Sequence, residues 1–141
     1  MLGIKDATSS EFHPHTKYAV IDLMKDMDLN KLGGTQRLGA NPFKIKKGTL
    51  AYKVYNATEV SERHRHRYEF NKMYQNQFEQ AGMVFSGINT DYEGIEIIEY
   101  PKNDFFVAAQ FHPEFKSRPL RPHPLFCGFV KACKTFKDSK M

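Results

Sequence analysis

The sequence has no tryptophan, only two cysteines, and no apolar run approaching the roughly 18 residues that a membrane span needs. Cys127 and Cys133 sit in one apolar stretch near the C-terminal end, too few and too close for a disulfide framework, so a reducing compartment is expected. The first residues, Met1-Leu2-Gly3-Ile4-Lys5-Asp6, lack the basic-then-apolar layout of a signal peptide. A cytoplasmic protein with no membrane association is therefore the expectation. Internal repeats, low-complexity tracts and a Pro/Gly/Ser-rich linker are also lacking, which predicts one domain over residues 1–141.

What is present is a globular mixture, 26% charged and 40% hydrophobic, which excludes a collagenous or largely disordered chain. Its 21 Lys and Arg against 16 Asp and Glu leave a net charge of +5. The basic residues are scattered, apart from the run Glu62-Arg63-His64-Arg65-His66-Arg67-Tyr68. Without a basic-aromatic platform or zinc-finger spacing, this pattern argues against a nucleic-acid partner.

Periodicity supplies the elements. Tyr18–Leu23 is β-branched and, apart from Asp22, nearly continuously apolar, as a strand covered on both faces would be. Gly33-Gly34 turns the chain into a short extended piece over 35–38, and Gly48-Thr49 starts a helix through Tyr55. From Val60 to Phe70 a single alternating strand is predicted, with Arg63, Arg65, Arg67 and Glu69 on one face and His64, His66, Tyr68 and Phe70 on the other. Asn71 caps a helix that runs to Ala81 and stops at Gly82. Strands follow at 83–88, 95–99 and 105–111. Pro124–Lys137 forms a final helix whose stripe of Leu125, Phe126, Phe129, Val130, Cys133 and Phe136 is expected to be core.

The most informative chemistry is in Gln110-Phe111-His112-Pro113-Glu114-Phe115. In an extended path His112 and Glu114 project to one side, so the carboxylate can fix the tautomer of the imidazole and stabilise its charged form. The alternative is a strand-end histidine satisfied by a neighbour. Such a pair usually serves a nucleophile, but a nucleophile elbow needs small residues two places either side. Leu125 and Phe129 flank Cys127, and Lys131 and Thr135 flank Cys133, so neither thiol fits.

Gly34 to Gly39 has the glycine spacing of a phosphate loop, but Ala40-Asn41 stands where Lys and Ser or Thr would have to follow. His64 and His66 have the spacing of two metal ligands on a strand, yet no Cys, Asp or Glu cluster completes a site, so hydrogen-bonding histidines are expected. The Arg63, Arg65 and Arg67 face offers fork-shaped donors for a substrate carboxylate, or a charged edge that discourages aggregation. Glu11 offers an acceptor for a substrate ammonium, or is a loop acid at a turn.

Ser10-Glu11-Phe12, Leu32-Gly33-Gly34-Thr35-Gln36-Arg37-Leu38-Gly39, Glu62 to Glu69 and Gln110 to Phe115 together closely resemble the CTP synthase family. They match the C-terminal part of its class I glutamine amidotransferase domain, in order and spacing, from about Leu2 to Ala132. The resemblance implies an α/β, three-layer domain around a mixed, mainly parallel sheet, with its N-terminal strands missing. It implies hydrolysis of L-glutamine by a Cys-His-Glu triad, the ammonia serving ATP- and Mg-dependent amination of UTP to CTP with GTP as effector.

By that resemblance His112 is the proton shuttle, Glu114 its orienter, and Glu11 and Arg67 hold the amino and carboxylate ends of glutamine. The cysteine elbow, the oxyanion loop and the synthase domain would lie in polypeptide other than this chain. The resemblance thus implies no cofactor within the chain, a partner portion carrying the elbow, oligomerisation in the whole enzyme, and inactivity of the chain alone. Gln36 replaces the Met usual in the family. Open sheet edges imply marginal stability or self-association. A different class I amidotransferase and a non-catalytic glutamine-binding or regulatory module remain the alternatives.

Overall fold

A computed structural model describes residues 3–24 and 37–140. Eight strands and three helices run in the order β1 (Thr8–Ser9), β2 (Ala19–Leu23), β3 (Arg37–Ile45), α1 (Leu50–Tyr55), β4 (Glu59–His66), β5 (Tyr68–Phe70), α2 (Gln75–Gln80), β6 (Val84–Asn89), β7 (Ile95–Glu99), β8 (Val107–Ala109) and α3 (Pro124–Asp138). Single 3-10 turns precede α2 at Lys72–Tyr74 and follow β8 at Pro113–Phe115. The larger sheet has the strand order β4-β3-β6-β7-β8 and the smaller one β1-β2-β5.

Two apolar clusters lie against the larger sheet. In one, Phe43, Ile45, Ile97 and Phe111 meet Ala51 of α1 and Leu125 of α3. In the other, Phe85 and Ile95 meet Phe70 of β5, with Val20, Ile21 and Phe78 packed on them. The expected α/β architecture is thus present, with helices and the small sheet laid on the large one. The pairing is less parallel than expected: among the described strands only β1 and β2 run parallel. Short links between β6, β7 and β8 permit only antiparallel neighbours, because a parallel pair needs a crossover of a dozen residues or more.

Local chemistry explains most boundaries. Thr49 caps α1 by accepting from the Tyr52 amide, while the buried Glu99 carboxylate takes the amides of Leu50 and Ala51 at 2.8 and 2.7 Å. Asn71 likewise accepts from the Met73 amide, but the first turn it caps is 3-10 and α2 begins only at Gln75. The strand at 39–45 was hidden by Gly39, Asn41 and Pro42, all poor strand formers. Pro42 lies where β3 pairs with β4 alone, since pairing with β6 begins at Phe43, and a strand bonded on one side tolerates proline. Gly33, Gly34, Thr35 and Gln36 lie outside the described residues.

Two expectations are corrected. The single strand over 60–70 is two, because the chain leaves the large sheet after His66 and Tyr68–Phe70 pairs with β2 instead. The α3 stripe is not core: Leu125 is buried, but Phe126, Phe129, Val130, Cys133 and Phe136 are exposed. The helix instead approaches α1 through Gly128, where an added Cβ would lie 2.6 Å from Val54 and 2.9 Å from Phe105. That close approach turns the large side chains outward.

Candidate functional site

β8 and the turn after it carry His112. The Gln110 amide donates to the Glu96 carbonyl and the His112 amide to the Arg63 carbonyl, each at 2.9 Å, so the segment is tied to β7 and β4. His112 is extended, and Pro113, with its φ already suited to a helical turn, starts the 3-10 turn that carries Glu114. The pair expected on an extended path is therefore closed by a turn. Its geometry is tight all the same: His112 Nδ1 lies 2.7 Å from Glu114 Oε1. With the carboxylate accepting, Nδ1 carries the proton and Nε2 keeps its lone pair. The Glu114 backbone amide, then His112, hold the Glu114 carboxyl below its ordinary value. Phe115 stacks on the imidazole with centroids 5.0 Å apart.

Beside this segment a cavity of about 350 Å³ is lined by Glu11, Arg65, His66, Arg67, Tyr68 and Gln110. Glu11 arrives on the loop after β1, its amide bonded to Ser9 Oγ at 3.2 Å. Arg67 stands at the break between β4 and β5, where its carbonyl accepts from the Met24 amide at 3.0 Å. Gln110 Nε2 donates to the Tyr68 carbonyl at 3.2 Å. The Arg67 Nε is buried and has no hydrogen-bond partner among the described residues. Glu11 and Arg67, far apart in sequence, are thus brought to one cavity, and Gln110 joins that cavity to the strand end that carries His112. His112 and Glu114 are not themselves in its lining.

The two thiols are elsewhere. Cys127 and Cys133 are exposed on α3, and Cys127 borders a separate cavity of about 730 Å³ between α1 and α3. That larger space contains neither an imidazole nor the acid-base pair.

Two buried polar clusters hang from β4; hydrogen bonding at His64 and His66 was expected, but their partner Glu96 and the whole Glu62 cluster were not. In the first, Glu62 Oε1 accepts from Tyr55 Oη at 3.1 Å and from His123 Nε2 at 3.0 Å, and Lys116 Nζ lies 3.5 Å from Oε2. His123 Nδ1 accepts from the Leu125 amide, so the same ring caps α3 and donates to Glu62. Burial pushes the Glu62 carboxyl upward, but the bond from His123, the Lys116 ammonium and the Tyr55 hydroxyl outweigh it and hold it below its ordinary value.

In the second cluster, His64 Nδ1 is 3.0 Å from His66 Nε2, and His66 Nδ1 is 3.1 Å from the Tyr68 carbonyl. The two rings thus bond each other, and the described residues contain no cluster of three His, Cys, Asp or Glu side chains arranged for a metal ion. His64 Nε2 faces Glu96 Oε2 at 3.5 Å. Tyr92 Oη and Asn89 Nδ2 donate to Glu96 Oε1 at 2.9 and 3.2 Å. Burial pushes both imidazoles down to about 4 and the Glu96 carboxyl up. The alternation of β4 was the available signal, since it places Glu62 on the face of His64 and His66. Nothing in sequence order linked Glu96 or His123 to that face.

The chain is similar to several known proteins. A family model described as glutamine amidotransferase class-I matches residues 15–132. The chain is 53% identical over 141 residues to a CTP synthase of Staphylococcus carnosus and 57% identical over 142 residues to one of Pyrococcus abyssi, in each case across 99% of this chain and 26% of the relative. It therefore spans about a quarter of the length of the curated relatives it matches. Among solved structures, the glutaminase domain of Trypanosoma brucei CTP synthase with bound acivicin superposes with a TM-score of 0.86 at 35% identity, covering 96% of this chain and 53% of that one. A protein of Thermoplasma acidophilum described as a putative GMP synthase subunit shares the fold, with a TM-score of 0.57 at 11% identity.

Proposed function

The chain belongs to the class I glutamine amidotransferase family, and on that premise we propose that it supplies the base and the glutamine pocket of a CTP synthase's glutaminase. The observation that carries this reading is the convergence of Glu11 and Arg67 on one cavity, next to the strand end that bears His112. A free amino acid needs an acceptor for its ammonium and a fork of donors for its carboxylate, and those two side chains have that chemistry. Arg67 lines that cavity, where its guanidinium offers the carboxylate a fork of donors.

In this reading the nucleophile is a cysteine on polypeptide outside the chain. His112 Nε2 takes the thiol proton, and the thiolate adds to the side-chain amide carbon of glutamine. The imidazolium, stabilised by Glu114 at 2.7 Å, returns the proton to nitrogen as ammonia leaves. Water then hydrolyses the thioester to glutamate, with His112 again as base. The whole enzyme would pass that ammonia to UTP at the expense of ATP, with Mg as the ion accompanying the nucleotide and GTP as effector. Among the described residues no cluster of three acidic, thiol or imidazole side chains is arranged to hold the divalent ion.

Ammonia release from L-glutamine tests the proposal, measured with the 141-residue chain alone and together with a separately made portion carrying the elbow cysteine. Activity is expected only in the mixture and falls about 10⁴-fold with His112→Ala. Release by the chain alone would make Cys127 or Cys133 a nucleophile and overturn the reading.

A further inference from the structure

The chain of bonds from β5 to β7 has a direction that its end groups impose. A carbonyl only accepts, so the Tyr68 carbonyl requires a proton on His66 Nδ1. Burial and the Arg37 guanidinium keep His66 neutral, so its Nε2 holds a lone pair and requires a proton on His64 Nδ1. That leaves His64 Nε2 with a lone pair facing Glu96 Oε2, and neither atom has another hydrogen-bond partner among the described residues. Two lone pairs cannot face each other in a buried site without repulsion, so one proton must lie between them.

The surroundings decide which side holds it. Glu96 is 1% exposed and His64 2%, so an ion pair here would desolvate two charges. The Arg37 guanidinium, which lies 3.5 Å above the Tyr92 ring, and His112 both disfavour a second cation at His64, while Glu62 favours one. Around Glu96, Tyr92 and Asn89 donate to Oε1, Arg37 favours the anion and Glu69 disfavours it. Oε2 is the oxygen without a donor, and it is the one that faces His64.

We propose that Glu96, His64 and His66 form a neutral relay with one shared proton that holds the Arg67–Tyr68 corner, making His64 and His66 positioning residues for the pocket that Arg67 lines. His66 couples the relay to the pocket, because it both lines the cavity and grips the Tyr68 carbonyl to which Gln110 also donates. The consequence for glutamine rests on the function proposed above; the consequence for the corner does not.

Imidazole ¹⁵N spectra of the 141-residue chain at pH 7 are expected to show His64 and His66 neutral and protonated at Nδ1. A doubly protonated His64, or a proton on His66 Nε2, overturns the relay. Hydrogen exchange at the Met24 amide, which donates to the Arg67 carbonyl, reads the corner directly. His66→Ala should speed that exchange about tenfold or more. His66→Asn keeps a donor for the Tyr68 carbonyl, and Glu96→Gln donates to His64 as the protonated acid does, so both should stay near wild type. Unchanged exchange in His66→Ala, or a Glu96→Gln variant as loose as it, overturns the proposal. Titration with L-glutamine, read at Arg67 Nε–H, separates the two readings: shifts in wild type and Glu96→Gln that vanish in His66→Ala support both. A wild type that does not respond removes the glutamine reading and leaves the relay to be decided by exchange.

Discussion

Glu62 and Glu96 are the same residue type, buried to 2% and 1% exposure, each beside histidine and each bonded by a tyrosine hydroxyl, yet their carboxyls shift in opposite directions. The difference is in the donors. Glu62 meets His123 Nε2–H, whose other nitrogen is committed to accepting from a helix amide, and the ammonium of Lys116, which reaches in from the surface. Glu96 meets a histidine whose only remaining nitrogen is an acceptor. Burial penalises both anions, but only at Glu62 do enough donors converge to overcome it. The sign of a buried carboxyl's shift is thus set by which protons its neighbours have left to give.

This contrast is broken most severely by Glu62→Ala. It removes the anion that the Tyr55 hydroxyl and the His123 Nε2–H both donate to and leaves them only each other, 3.2 Å apart, in a place that also fixes the start of α3 and the turn bearing Lys116. A loss of about 3–5 kcal/mol is expected in denaturant unfolding. The nearly isosteric Glu62→Gln should still cost about 2–3 kcal/mol, because bonds to an anion are replaced by bonds to an amide.

Acid separates the clusters next. His64 and His66 titrate at about 4 when folded, below the ordinary imidazole value, so the unfolded chain binds more protons than the folded one between that value and about pH 6.5. Stability therefore falls as pH drops through this window, by up to about 1.4 kcal/mol per pH unit for each imidazole. Glu62, lowered by its partners, loses its contribution only at more acid pH, as the folded carboxyl itself is protonated. Glu96 has the opposite sign: raised above its unfolded value, it favours the folded state most below the ordinary carboxyl range and loses that preference as pH rises. Unfolding followed from pH 7 to 4 should show loss from the histidines first, and His64→Gln should flatten the curve.

How much of this was legible beforehand depended on whether the partners were near in sequence. His112 and Glu114, two residues apart, were readable as a pair, and only the turn that closes them was not. Glu11 and the Arg63, Arg65 and Arg67 face were readable as ammonium and carboxylate holders beside blander alternatives, but the choice of Arg67 and its partnership with Glu11 came through resemblance, since only the pairing of β2 with both β1 and β5 brings their segments together. The alternation in β4 was legible, but its break after His66 was not, because periodicity does not reveal that β5 changes sheets. The stripe on α3 was misread for a related reason. Its apolar spacing is sound, yet the close approach at Gly128 decides which face turns inward.

The smallest and sharpest comparison uses the two tyrosines. Tyr55 donates to the carboxyl held ionised and Tyr92 to the one burial drives toward neutrality, at similar distances of 3.1 and 2.9 Å. Both phenols are themselves pushed upward, chiefly by burial and then by their carboxyl partners, so both remain protonated donors at neutral pH. A bond to a charged acceptor contributes about 1.5–3 kcal/mol and one to a neutral acceptor about 0.5–1.5. Tyr55→Phe should therefore destabilise by roughly twice as much as Tyr92→Phe at pH 7. Because Arg37 stacks on Tyr92, the phenylalanine there keeps the ring contact and isolates the hydroxyl. Equal losses in the two variants would mean that Glu96 is ionised at pH 7 and that its proton lies on His64.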